Sequence, residues 1–253
     1  GGKWSSNPAW TSINETFSHS KTYNGYTHLY LVTRLDGYTV EDVKTLIDSS
    51  IKASSSTVTR KYIFDAVGFP DNSGLIMGDA AIYNASNILK AQGLNVIYEG
   101  TSAKFATGYT NLGGYFSWGS NAGGDYSDDK FQNLLFAPGS IGETFVSSGG
   151  RTFFYPENWP TYTHAKSDTE DMSQSLIADL IKNGITGISG YVSEPGLSGC
   201  EDVETLVTRY FVEGYNLAES FYMASPQVNW KMVLIGDPLC PLPPSSTAAN
   251  ELL

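Results

Sequence analysis

Gly214-Tyr215-Asn216-Leu217-Ala218-Glu219-Ser220-Phe221-Tyr222, followed by Trp230-Lys231-Met232-Val233-Leu234-Ile235-Gly236-Asp237-Pro238-Leu239-Cys240, reads as a helix, a turn and a buried strand that stops at Gly-Asp-Pro. The same grammar recurs upstream. Asp168 to Asn183 carries Met172, Leu176, Ile177, Leu180 and Ile181 on one helical face, and Gly184 closes it before a strand from Ile185 to Val192. Helices from Cys200 to Ala224 lead from that strand to the last one, Lys231 to Ile235. Gly78 to Gln92 reads as a helix through Ile82, Ala85, Ile88 and Leu89, ended by Gly93 before a strand from Leu94 to Tyr98. Thr39 is placed to cap a helix whose apolar positions are Val40, Val43, Leu46, Ile47 and Ile51. Further strands are expected at His28 to Arg34, Arg60 to Ala66, Leu112 to Trp118 and Ile141 to Ser147. Strands alternating with amphipathic helices predict an α/β fold: a largely parallel sheet covered by helices in a three-layer, Rossmann-like arrangement.

The chain divides into an extended N-terminal arm (1–25), a single α/β domain (26–242) and a Pro/Ser-containing tail (243–253). It opens on Gly1-Gly2-Lys3-Trp4 without Met, which suggests a processed chain. Its 253 residues are long enough to bury one sizeable core. Charged residues make up 16%, against roughly 25% in typical soluble proteins; Ser, Thr, Asn, Gly and 16 Tyr take their place. Such an uncharged polar surface points outside the cell or to its surface. A net charge of -11 argues against a nucleic-acid backbone or an anionic membrane as partner. No apolar run approaches the ~20 residues of a membrane span, so no insertion is expected. Asn14-Glu15-Thr16 and Asn84-Ala85-Ser86 are glycosylation-type sequons. Cys200 and Cys240 either form one disulfide in an oxidising compartment or stand as two separate buried residues.

Candidate chemistry gathers at strand ends, where open α/β sheets hold ligands. Arg34 and Asp36, before Gly37, form either an anion-holding pair or a salt-bridged turn, and the turn is the preferred reading. Ser117-Trp118-Gly119-Ser120-Asn121 has the small residues of a backbone anion nest or of an ordinary turn. Ser147-Ser148-Gly149-Gly150-Arg151 offers Ser148 as a nucleophile with His164 as base, and Arg151 as an anion partner. Glu194 after one strand and Asp237 after another would make an acid/base or cation-binding pair if they met. Asp237 alone reads as a turn former. Asp125, Asp128 and Asp129 share a Gly-rich loop; they lack EF-hand spacing, so a solvated acidic loop is preferred over a metal site. Neither a phosphate loop nor a dinucleotide fingerprint occurs, and no cofactor is expected.

Five ordered blocks carry a resemblance: Leu31 to Gly37, Gly114 to Asn121, Ser147 to Arg151, Gly184 to Pro195 and Gly214 to Cys240. Together they resemble an uncharacterised prokaryotic family, usually of exported proteins. Its members are distantly similar to the caspase-like and gingipain-like cysteine peptidase fold. Members are usually longer at the N-terminus, which would make the missing N-terminal part of a precursor one expected partner. Caspase-like peptidases place His-Gly after one core strand and Cys after the next. Here Gly119-Ser120 follows Leu112 to Trp118, and Ser193-Glu194 follows Ile185 to Val192, with Cys200 several residues too late. The resemblance therefore implies the scaffold without the peptidase residues.

Three functions are weighed. The expected one is a non-catalytic extracellular or cell-surface protein, a subunit of a surface assembly or filament, with copies of itself as partners through the arm. The second is a hydrolase using carboxylates at the sheet's carboxyl edge. The third is a carbohydrate or cell-wall binding module built on Phe153, Phe154, Tyr155, Trp159 and Tyr162.

Overall fold

The structure is a computed structural model that describes Phe17 and residues 30–154, 174–228 and 230–242. Its centre is a sheet of β1 (Lys61–Ala66), β2 (Val96–Gly100), β3 (Tyr109–Ser117), β4 (Leu134–Thr144), β5 (Gly187–Tyr191) and β6 (Met232–Gly236). The strands lie in the order β2-β1-β3-β4-β5-β6. The first five are mutually parallel, and β6 runs antiparallel to β5, pairing Gly187 with Gly236 and Tyr191 with Met232. One face is covered by α1 (Val40–Ala53), α3 (Asp128–Gln132) and α4 (Ile177–Lys182). The other carries α2 (Ile76–Ala91), α5 (Val203–Val207), a π-helical turn (Thr208–Val212) and α6 (Leu217–Ala224). This is the expected three-layer α/β architecture.

Local sequence explains the elements. At α1 the Thr39 Oγ1 accepts the Asp42 N–H at 3.2 Å while the Asp42 carboxylate accepts the Thr39 N–H at 2.8 Å, a reciprocal capping box. The side chains of Asp202 and Asn216 cap α5 and α6 by accepting the N–H groups of Thr205 and Glu219. On β1, Tyr62 and Phe64 meet Phe211 and Phe116 on the α2/α6 side, with ring centroids 5.1 and 4.9 Å apart. Ile63 and Asp65 alternate to the opposite side.

Two expectations are corrected. Of the strand expected over 28–34, the described part pairs only at Arg34, which bridges Ile235. Tyr30 and Val32 are exposed, and the Tyr222 hydroxyl, donating to the Val32 carbonyl and accepting its N–H, holds the segment in place of a ladder. The helix expected from Asp168 starts, within the described residues, at Ile177. Leu176 is extended and Ser175 is drawn off to Ser120, donating its N–H to Oγ at 2.9 Å. The helices expected from Cys200 to Ala224 are present, and Gly214, whose φ of +76° suits glycine, lets the chain turn into the last of them, α6.

Candidate binding cleft

The order β2-β1-β3 reverses direction at β1, so the exits of β1 and β3 diverge toward opposite sides and leave a crevice at the carboxyl edge. The crevice here is a continuous cleft of two lobes that share Phe145, Leu197 and Cys200. One lobe, about 310 Å³, is walled by Phe69, Trp118, Asn121, Ser147 and Glu194. The second, about 500 Å³, runs beside α2 along Met77, Gly78 and Ala81 to Glu201 and Asp202.

Asp79 on α2 builds the wall between them. Its Oδ1 accepts the Val67 N–H (3.0 Å) and the Trp118 indole N–H (2.8 Å), and its Oδ2 accepts the N–H groups of Gly68 (2.8 Å) and Phe69 (2.7 Å). One carboxylate thus fixes the β1 exit and the side chain at the β3 exit. Trp118 in turn packs edge-on against Phe69 and Phe145. A Cβ at Gly78 would stand 2.4 Å from the Trp118 ring, so a glycine inside α2 is what lets the indole lie there.

Beneath the second lobe lies a buried acidic chain. Glu143 on β4 and Ser189 and Tyr191 on β5 point to the α5/α6 side, and Glu201 reaches them from just before α5. The Ser189 hydroxyl donates to Glu143 Oε2. The Tyr191 hydroxyl lies 2.7 Å from Glu143 Oε1, contacts Glu201 Oε2, and accepts the Glu201 N–H at 2.8 Å. A phenol has one proton to donate, so one of the two carboxyls must itself be protonated and donate to the phenol oxygen. Burial lifts Glu143 well above the ordinary carboxylate range, and the charge of Glu201 adds to it. Burial lifts Glu201 to about 7, with its Tyr191 bond pulling the other way. Glu201 is 2% exposed, and its Oε1 has no hydrogen-bond partner.

The expected site residues are dispersed. Glu194 stands in the first lobe, exposed, its carboxylate accepting the Gly196 N–H at 2.6 Å. Asp237 follows β6, which runs in reverse, so it lies at the opposite edge of the sheet; there it accepts the Ser50 hydroxyl and the Leu239 N–H. The two cannot form a pair. Ser148 donates to the Gln174 amide oxygen at 2.7 Å, and a neutral amide is no base; His164 lies outside the described residues. Arg151 donates to the carbonyls of Ser148 and Gln174. Arg34 forms a salt bridge with Asp36, which also accepts the Gly37 N–H, and lies over Phe153, far along the sheet on the outer side of β6. At Ser117-Trp118-Gly119-Ser120 the Gly119 and Ser120 N–H groups are taken by Ser117 and Ser175 hydroxyls, which leaves no nest.

Gly150 explains the Ser147–Arg151 block. Its N–H donates to the Tyr191 carbonyl at 2.9 Å, and a Cβ there would stand 2.7 Å from Val233 Cγ1 and 3.0 Å from the Gly190 carbonyl carbon. Gly150→Ala is expected to destabilise the fold by about 1–3 kcal/mol, seen as a lower denaturant midpoint at an unchanged m-value.

The remaining candidate residues have these positions. Asp125 pairs with Lys130 and accepts the Phe105 N–H, Asp128 accepts the Tyr126 hydroxyl, and no group of three or more His, Cys, Asp or Glu among the described residues could hold a metal ion. Cys200 and Cys240 are both free and buried. They follow β5 and β6, which exit at opposite edges, whereas a disulfide needs Cα atoms within about 7 Å. Burial pushes the Cys200 thiol up, and Glu143 and Glu201 push it further, so it stays a thiol rather than a nucleophilic thiolate. Asn84 lies within α2, donating to Glu204 at 3.0 Å, and Ser86 of its sequon is buried and bonded to the Tyr83 carbonyl. Asn14 lies outside the described residues. Of the aromatic group, only Phe153 and Phe154 lie within them.

Among the described residues no helix is long and apolar enough to cross a membrane. The strand beside β3 is β4, so the position next to Gly119-Ser120 is Phe145-Val146-Ser147-Ser148 rather than the exit of β5; it too bears neither His nor Cys. No family model, no curated protein and no solved structure matches this chain.

Proposed function

We propose that this chain is a non-catalytic binding protein, acting outside the cell or at its surface, whose ligand occupies the cleft at the carboxyl edge of the sheet. One observation carries the reading. The cleft is walled by Phe69, Trp118 and Phe145, and its thiol, Cys200, is kept protonated by burial and by the carboxyls of Glu143 and Glu201 beside it. Aromatic walls with few polar groups bind; nucleophilic catalysis additionally needs an activated nucleophile.

An assembly built by exchanging the arm between copies is a different reading, and one residue bears on it. Phe17 is the arm residue within the described structure. It is 8% exposed, packs in this domain's own core and donates its N–H to the Tyr222 carbonyl at 3.1 Å. That favours an arm seated at home at this point over one exchanged between copies.

The test is a fragment screen read by Trp118 fluorescence and by NMR signals of Phe69 and Phe145, run beside turnover assays on peptide, ester and glycan panels. Binding that perturbs these rings, without turnover, is the expected result. Turnover lost on changing Glu194 or Ser148, with the fold intact, would establish the hydrolase instead.

A further inference from the structure

We propose that the larger lobe of the cleft binds a primary amine on a short apolar body, its ammonium taken by Glu201. The proposal rests on the binding reading above and names the ligand class. Glu201 lines this lobe, is 98% removed from solvent and has an oxygen without a hydrogen-bond partner. An unmade hydrogen bond on a buried carboxyl is a standing cost, larger if the group is charged. A ligand donor placed there would recover that energy.

Charge selects the donor. The titratable groups facing Glu201 are Glu143 on β4, Tyr191 on β5, Cys200 beside it and Tyr222 on α6, with Asp202 next in the wall. Among the described residues no Lys, Arg or His forms an ion pair with Glu143 or Glu201. A hydroxyl would supply one hydrogen and leave the acids without a counter-charge; an ammonium supplies both. The rest of the lobe, Gly74, Met77, Ala81, Phe145 and Pro226, suits an alkyl or aryl body of modest size.

Binding would move a proton. An ammonium favours ionised Glu201, so a group titrating near 7 releases its proton to solvent as the ligand seats. Affinity should therefore rise roughly tenfold from pH 6 to pH 8, and about half a proton should leave per ligand at pH 7. The experiment is calorimetry of phenethylamine, 2-phenylethanol and 3-phenylpropionate, in two buffers of different ionisation enthalpy. Phenethylamine is expected to bind at least tenfold tighter than the alcohol at pH 8, and the carboxylate weakest. Glu201→Gln should erase the amine's advantage, and Ala81→Leu, which narrows the lobe without touching the acid, should weaken both neutral and cationic probes. Equal binding of amine and alcohol, or an amine advantage that survives Glu201→Gln, overturns the proposal while leaving the binding cleft standing. If no probe perturbs Phe145 or Trp118, the binding reading fails with it.

Discussion

Asp79→Ala is expected to cost about 3–5 kcal/mol, the largest effect of any single substitution considered. Asp79 is 6% exposed and its two oxygens serve four N–H groups, three of them on consecutive backbone positions. Removing the acceptor strands the buried donors of Val67 and Trp118 and unties those of Gly68 and Phe69, and each stranded donor costs roughly 1–3 kcal/mol before relaxation. Asp79→Asn should be intermediate, near 2–4 kcal/mol: one oxygen remains, but an amide N–H now faces other N–H groups. Urea unfolding followed by tryptophan fluorescence measures both. The cleft should suffer first, because Val67 to Phe69 and Trp118 all lose their shared anchor. A loss under 1 kcal/mol for the alanine variant would mean that the β1 exit is held by something else.

Stability should fall as pH rises from 5 to 8. Burial lifts Asp65 to about 7, opposed by its bond from the Ala106 N–H, and burial lifts Glu201 to about 7 as well. Glu143 is raised still further in the same direction. Each acid holds its proton in the folded protein and gives it up in the unfolded chain. The folded state therefore binds more protons between the two pKa values, and its stability declines with pH across that window. The advantage is complete below about pH 4 and gone once pH passes through about 7 for Asp65 and Glu201. Each contributes on the order of 3 kcal/mol across the full window. Denaturant midpoints at pH 5, 6.5 and 8 test this, with Asp65→Asn and Glu201→Gln each expected to flatten the profile. A midpoint that climbs toward pH 8 would show that these acids are ionised in the fold.

Much of the architecture was legible because it is local. The 3.6-residue period marks α1 and α2, the Thr39 cap starts the first and Gly93 follows the second. The direction of β6 was not legible. A Gly-Asp-Pro stop looks the same in a parallel or an antiparallel strand, and that single reversal separates Asp237 from Glu194 and Cys240 from Cys200. The acidic chain was also hidden. Glu143 sits in an apolar strand and Glu201 beside a loop cysteine, and only the pairing of β4 with β5 brings them to one tyrosine. Nothing in the sequence sets Asp79 apart from any first-turn acid of a helix, because its partners belong to two distant strand exits.

The reversed β6 has one more effect, on how the molecule can be held. The described chain runs from Gly236 through Asp237 to Leu242 on the side away from the cleft, with the Pro241 carbonyl accepting the buried Tyr210 hydroxyl at 2.9 Å. A handle joined at Leu242 therefore pulls from the edge of the sheet opposite the cleft. Anchored there, on a sensor chip or on a larger neighbour, the described domain would present the carboxyl edge of its sheet to solution.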